Sequence, residues 1–501
     1  MQTEHQNNNT IQAFWVGMGS LSSFALGIVS AAILSRYLEK AEYGTYRQVL
    51  YVYNTLLVIF SAGLPRVFFY FLPRFPLEQG KHIVWKVSKM LFFFGMAFSI
   101  VLYAFSGIIA QILRNPELAT GLKYFSPIPM LLLPTLGIEG IFSTYKKTIY
   151  IAIYNTATRF LMLIFIVLPV VIFQGGYIYA IFGWSIASII ALLLAIYFKG
   201  LPFKGIETET SNLSYNAVFS YSLPLVVASI AGIAIKAADQ FYISRFFGAE
   251  VFAEYSNGFI GLPFVGMVTG ATSMVLMPIF SKMIHDKSEI ENIIKLWRSA
   301  LLKSALIIYP LVIFFIFNAK NIVEVIYSST YHNSAIYFQI AMVLNFFNII
   351  IFAPLLLSMG ETKFYARLHM LIAIVAWFIG YLIVLVFKSP VAVATFSVSL
   401  SIITVLICIK YISILFEVSP FSLFPLKKIS ALITHALLVI AFVNLVNSQL
   451  LPPLVNYVSL IVTFVGFTVI LLCTAPIFRL DYLAVVKPLI NRFRSGQSLS
   501  T

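Results

Sequence analysis

The sequence predicts an all-α polytopic membrane protein of about fourteen transmembrane helices, arranged as two parallel-repeat six-helix lobes followed by two more helices. Composition, the sidedness of charge and an internal self-match predict it. The 501 residues are 60% hydrophobic and 10% charged, with a mean hydropathy of +0.95, whereas a soluble domain carries roughly a quarter charged residues. At about 20 apolar residues per span, this supply suffices for a dozen or more helices. Cys408 and Cys473 both lie within apolar runs, so the pattern predicts no disulfide framework, no cysteine-rich metal site and no cofactor.

The polar opening MQTEHQNNNT lacks the basic region of a cleaved signal peptide, so the run after it is expected to be retained as the first helix. Apolar runs of spanning length place six helices near 11–35, 45–73, 86–113, 122–144, 148–173 and 176–198. The polar stretch KGLPFKGIETETSNL then reads as a connector between bundles. Six further helices are expected near 217–245, 252–281, 299–317, 334–358, 367–387 and 390–410, then two at 429–447 and 456–478. The domains expected are an N-terminal lobe over 1–198, a cytoplasmic connector over 199–216, a second lobe over 217–416, and a final pair over 417–501 with a basic tail.

With a cytoplasmic N-terminus, the inner segments hold 21 Lys and Arg, Lys199 and the tail residues Lys487, Arg492 and Arg494 among them, against 8 in the outer segments. Cytoplasmic loops are enriched in these residues, so both termini are expected in the cytoplasm. Most of the net charge of +15 is then a topology signal that also favours anionic headgroups of membrane lipids, and no nucleic-acid partner is expected.

The chain also matches itself. Ser35-Arg36-Tyr37 with Tyr46 downstream corresponds to Ser244-Arg245-Phe246 with Tyr255, at an offset of 209. Pro134 and Gly140 in the fourth helix correspond to Pro354 and Gly360 in the tenth, at an offset of 220. Six helices separate the copies, so the repeat is parallel, of the kind that encloses a central path. The many helix prolines either bend that path or only shape packing.

An ionisable group inside hydrocarbon is costly enough to mark a functional candidate. The predicted spans hold Arg66, Glu139, Arg159, Lys236, Asp239 and Lys303. Arg159 is the deepest, about eleven residues into the fifth helix at 1.5 Å per residue, beside Asn155, Thr156 and Thr158. Lys236 and Asp239 are three apart and can pair across one helical turn. Arg66 can snorkel to the headgroups, as can Lys303 near the start of its helix. Four positive groups against two negative leave a cationic interior suited to a phosphate or pyrophosphate. Glu139 and Asp239 are candidates for titrating or holding a coupling cation. The histidines are scattered without metal spacing, and no GxxxxGK[ST] loop is present, so ATP binding through that motif is excluded.

The segment ILSRYLEKAEYGTYRQV at 33–49 resembles the N-terminal signature of the polysaccharide transporters of the MOP superfamily, the Wzx-type flippases of lipid-linked oligosaccharides. IKAADQFYISRFFGAEVFAEYSNG at 235–258 resembles the seventh-helix segment of that family, with Gln240 in place of its usual Arg and Ala253 in place of its Gly. The resemblance implies two six-helix lobes around a central cavity and alternating access between leaflets of the bacterial inner membrane. It implies an undecaprenyl-pyrophosphate-linked oligosaccharide as substrate, moved outward for O-antigen (lipopolysaccharide), capsule or exopolysaccharide assembly, with H+ or Na+ exchange as the energy source. Other polysaccharide-assembly membrane proteins are implied as partners. Arg66, Arg159 and Lys236 become substrate-binding candidates by this similarity, and Glu139 and Asp239 ion-coupling candidates. The peptidoglycan-precursor branch carries arginine within the first helix, which this chain lacks before Arg36. A multidrug exporter of the same superfamily is the alternative, though it would favour an acidic cavity. A membrane glycan polymerase or ligase would need catalytic carboxylates or histidines on a long outer loop, and no such loop is predicted; the chain is expected not to be an enzyme.

Overall fold

The computed structural model describes residues 2–450 and 456–482. The described residues are helical, with no strand among them, and 13 helices are long and apolar enough to cross a membrane, or 14 when a bent pair is taken as one span. The first six are α1 (Gln2–Tyr37), α2 (Lys40–Arg74), α3 (Leu77–Ile112), α4 (Glu117–Thr144), α5 (Ile149–Phe173) and α6 (Tyr177–Gly200). Next come α7 (Tyr215–Gly258), α8 (Pro263–His285), α9 (Ile290–Phe317), α10 (Ser334–Ser358), α11 (Thr362–Phe387) and α12 (Pro390–Leu415). The last two are α13 (Leu426–Leu450) and α14 (Asn456–Thr474). The basic tail residues Lys487, Arg492 and Arg494 lie outside the described residues.

Polar first turns make α1, α3 and α9 start at Gln2, Leu77 and Ile290, earlier than the expected 11, 86 and 299, and the boundary between the seventh and eighth helices is misplaced. The residues between 245 and 252 do not form a loop before an eighth span; α7 continues to Gly258 through a kink at Gly248, whose φ of 83° and ψ of 176° are not helical. The eighth span starts at Pro263 instead. Sequence hydropathy sees the dip in apolarity here but not that the chain bends rather than exits.

The described residues fall into two compact units. One contains the chain up to Ser256 together with His369–Val393; the other contains Asn257–Leu368 and the chain from Ala394 onward. The first unit thus includes α7 as well as α1 to α6, and the hydrogen bonds along α2 explain why. Lys40 pairs with Glu254, Arg47 donates to the Ser256 carbonyl (3.1 Å) and Gln48 donates to Ser244 Oγ (2.8 Å). Asn115 donates to Gln48 Oε1 (2.6 Å), and Tyr51 donates to the Ala237 carbonyl (3.1 Å). A Cβ on Gly44 would sit 1.9 Å from the Ala249 carbonyl oxygen, so only glycine allows this approach.

At the opposite end of the same unit, Leu64, Phe68, Ile83, Val87, Phe203 and Val218 build a buried apolar cluster. Small residues let the neighbouring helices close up: a Cβ on Gly183 of α6 would lie 1.8 Å from the Phe165 carbonyl oxygen of α5. The connector after α6 is tied to the start of α3. Glu209 N–H donates to the Glu78 carbonyl (3.1 Å), Ser211 N–H donates to His82 Nδ1 (3.1 Å), and Lys86 donates to the Leu213 carbonyl. Lys199, expected in that connector, belongs to α6 and is buried.

In the second unit, α9 packs its Leu301, Ala305 and Ile308 face into the interior. His435 of α13 is buried between Tyr482 Oη and Thr474 Oγ1, each 2.8 Å away, which ties the ends of α13 and α14 together. Arg298 donates to the Ser422 carbonyl, and Tyr411 donates to Glu361 at 2.7 Å.

Candidate functional site

Within the first unit, two adjoining cavities of about 590 and 300 Å³ run along α1, α2 and α5. Tyr53, Asn54, Arg159, Met162 and Trp184 line both, so Arg159 stands where they meet. The larger cavity reaches to Ser20 and Ser23 of α1 and Glu139 of α4; the smaller continues to Ser30, Tyr46 and Arg47.

Local structure explains how each side chain arrives there. The α5 segment Asn155–Arg159 spans one turn, so Asn155 and Arg159 share a face. The face is kept open by its neighbours: Thr158 returns its hydroxyl to the Tyr154 carbonyl (2.7 Å), and Tyr154 donates to the Ala191 carbonyl (3.2 Å). Trp184 is fixed by donating its indole N–H to Tyr46 Oη (2.7 Å), with Phe125 5.8 Å from its ring. These bonds satisfy the polar tips and leave the ring faces lining the cavities.

Glu139 is positioned by an interruption of α4. The helix runs over Glu117–Phe125 and Ile128–Leu132, passes through a 3-10 turn at Leu133–Thr135, and restarts at Ile138. Gly137 allows this at φ 91°, and a Cβ there would meet the Phe68 ring at 2.1 Å, so both the left-handed backbone and the space demand glycine. Glu139 follows in the first turn of the restarted piece, exposed to the cavity, and accepts from Asn155 Nδ2 at 3.4 Å.

Arg159 donates to the Met162 sulfur at 3.8 Å and pairs with no carboxylate among the described residues. A guanidinium with five donors and only this weak acceptor is left to bind an anion bidentately. The structure therefore brings Arg159 and Glu139 to one cavity. Arg66 is exposed at the start of the second piece of α2, beside the lining residue Pro65 but not in the lining itself. On α7, Lys236 is exposed and Asp239 is buried, its Oδ1 accepting the Gln240 N–H at 2.7 Å. The spacing allowed a Lys236–Asp239 pair, but among the described residues Lys236 forms no ion pair, because packing buries one side chain and turns the other outward.

Sequence reading missed Tyr53, Asn54 and Trp184. They are uncharged and indistinguishable in sequence from interfacial aromatics and ordinary helix-lining residues. The depth of Arg159 was the only local signal pointing to this wall.

The fold is similar to a lipid II flippase MurJ in an inward closed conformation, at TM-score 0.68 and 14% identity over 92% of this chain and 98% of that one. It is also similar to an inward-facing multidrug resistance MATE family transporter of the MOP superfamily, at TM-score 0.62 and 11% identity, covering 80% and 98%. A Vibrio cholerae MATE transporter, VcmN, matches at TM-score 0.55 and 14% identity, covering 85% and 100%. At these identities the likeness concerns the fold alone: a multi-pass membrane protein built as the MOP-superfamily transporters are. No curated protein matches. A family model described as polysaccharide biosynthesis protein matches residues 33–336, and with more than half of its length matched the chain belongs to that family.

Proposed function

We propose that this protein is a flippase that carries an undecaprenyl-pyrophosphate-linked oligosaccharide from the cytoplasmic to the outer leaflet of a bacterial inner membrane by alternating access. The observation that carries the reading is Arg159, a guanidinium free of carboxylate partners where two cavities meet, walled by Tyr53, Trp184 and Asn54. Charge-assisted bonds from an arginine suit a phosphate, and aromatic faces beside an amide suit sugar rings. Family membership supplies the polysaccharide context. The repeats over 1–198 and 217–416 supply the two lobes in this reading, with the bonds from α2 to α7 made in the state described here and exchanged in the cycle, and both termini face the cytoplasm. O-antigen, capsule and exopolysaccharide assembly are the pathways it would serve, alongside other membrane proteins of such assembly.

Glu139, exposed to the same cavity and bonded to Asn155, is the group we assign to H+ or Na+ coupling. It also favours the second reading, an ion-coupled exporter of cationic molecules, in which Glu139 rather than Arg159 receives the cargo.

Reconstitution in liposomes with a fluorescent pyrophosphate-linked oligosaccharide tests the choice, with exposure to a membrane-impermeant quencher as readout. Protein-dependent exposure that falls about 100-fold in Arg159→Ala, in a variant that still inserts, is expected for a group that binds the transported charge. Undiminished flux in Arg159→Ala removes this arginine from the path. No flux of the lipid but gradient-driven efflux of an organic cation, lost in Glu139→Gln, establishes the exporter.

A further inference from the structure

Lys199, at the end of α6, is a buried cation with no part in the site described above. It is 1% exposed, and its Nζ donates to Ser88 Oγ (3.0 Å) and to the carbonyls of Pro134 (2.7 Å) and Leu136 (2.8 Å). An ammonium has three donors, and all three are used. The Phe68 ring lies 5.3 Å from the same nitrogen. None of the three acceptors is a carboxylate, so the charge is held by dipoles alone, an arrangement that is expensive unless the acceptors are fixed in place.

Two of those acceptors belong to the interruption of α4. The first backbone bond of the restarted helix runs from Ile141 N–H to the Gly137 carbonyl, at 3.0 Å. The Pro134 and Leu136 carbonyls lie ahead of that bond as helix-end acceptors, and Lys199 supplies their donors. The stretch it grips is a wall of the larger cavity: Thr135, Leu136, Gly137 and Glu139 all line it.

We infer that Lys199 is a positioning residue, whose ammonium pins the broken segment of α4 so that Glu139 is presented to the cavity. Lys199 touches no cargo; it acts through the backbone at Pro134 and Leu136. The inference builds on the transport reading only where flux is measured, since presentation of Glu139 can be read without transport.

The test labels the purified full-length protein with a carbodiimide and quantifies modification of Glu139 by peptide mass spectrometry, taking Glu361 of the other unit as an internal control. In Lys199→Met, labelling of Glu139 is expected to fall about tenfold while that of Glu361 and the thermal midpoint change little. In liposomes the same variant is expected to lose maximal flux with an unchanged half-saturating lipid concentration, because Arg159 is untouched. Ser88→Ala, which keeps both carbonyl contacts, is expected to label like the wild type. Equal Glu139 labelling in wild type and a folded Lys199→Met overturns the inference, as does a parallel fall at Glu361, which would mean that the change is not confined to α4. Should Lys199→Met fail to accumulate, Lys199→Gln, with two amide donors, is read by the same criterion. A wild type that labels as expected but flips no lipid would refute the transport reading and leave the role of Lys199 decided by the labelling alone.

Discussion

In α4 the chain leaves the helix after Leu132, turns through Leu133–Thr135 and restarts at Ile138. In α10, the repeat-related helix of the other unit, it leaves after Asn348, crosses Ile349–Ile351 and restarts at Phe352. Both carry a proline and a glycine six residues apart, yet the two breaks are built from different chemistry. The α4 break is polar at its back, gripped by a buried ammonium, and lines a cavity. The α10 break is apolar, with Ile349 at 0%, Ile350 at 8% and Ile351 at 7% exposure. Its polar neighbours are uncharged: Tyr309 donates to the Phe346 carbonyl (2.8 Å), Asn345 is buried, and Asn348 donates to Asn345 Oδ1 at 3.2 Å. A buried charge grips one break, whereas burial and a neutral tyrosine hydroxyl hold the other. The left-handed glycines differ in place as well: Gly137, not the repeat-matched Gly140, lies inside the α4 break, whereas Gly360 lies in the turn that follows the end of α10 at Ser358. The duplicated proline thus accompanies an interruption in both helices, inside it at Pro134 and just after it at Pro354, without fixing its mechanism.

The largest effect should come from Gly137→Ala. Backbone strain at φ 91° adds to a Cβ 2.1 Å from the Phe68 ring, which together cost about 3 kcal/mol. Thermal unfolding in detergent should show it, and a midpoint equal to wild type would mean the α4 break relaxes freely. Lys40→Met ranks second. It leaves Glu254, 6% exposed, without its lysine, at about 2 kcal/mol; added salt should barely alter the loss, in contrast to a surface pair. If the midpoint does not move, the contact of α2 with α7 rests on Gln48, Arg47 and packing instead.

Gly360→Ala sharpens the contrast between the two repeat-matched regions, since Gly360 stands in the turn after α10 and not in its break. Its φ is 81°, but nothing lies within 4 Å of the added Cβ, so only strain of about 1 kcal/mol remains. A loss as large as that at Gly137 would show the two glycines equally constrained and dissolve the distinction drawn above. The smallest change is expected for Asn348→Ala, about 0.5 kcal/mol, since its one side-chain bond is exposed to competition. A large loss there would make the α10 break a polar device after all.

Much of the fold was legible beforehand. Span length and the bounds 334–358 of the tenth helix follow from apolarity over residues close together in the chain, and α10 occupies those positions. Two members of the candidate site, Arg159 and Glu139, were legible as charges inside predicted spans. The depth of Arg159 marked the site, because a charge far from both ends of a span cannot reach water along its own helix. Lys199 was read as a loop charge, because it sits at the end of a span where snorkelling is ordinary. Nothing local distinguishes it from Lys204 a few residues on, which is exposed.

By itself, then, the sequence determined that the chain is a many-spanning helical membrane protein with an internal repeat and a cation deep in its fifth helix. These are properties of composition and of spacing along one strand of backbone, set by the thickness and polarity of the bilayer. Tertiary structure alone decided that Glu139 and Arg159 share a cavity while Arg66, Lys236 and Asp239 do not line it, that α7 groups with the first six helices, and that Lys199 is buried against a broken helix. Each of those depends on which helix faces turn toward one another, and burial of a side chain is settled by residues 60 or more positions away, as the bonds from Lys199 to Pro134, Leu136 and Ser88 illustrate.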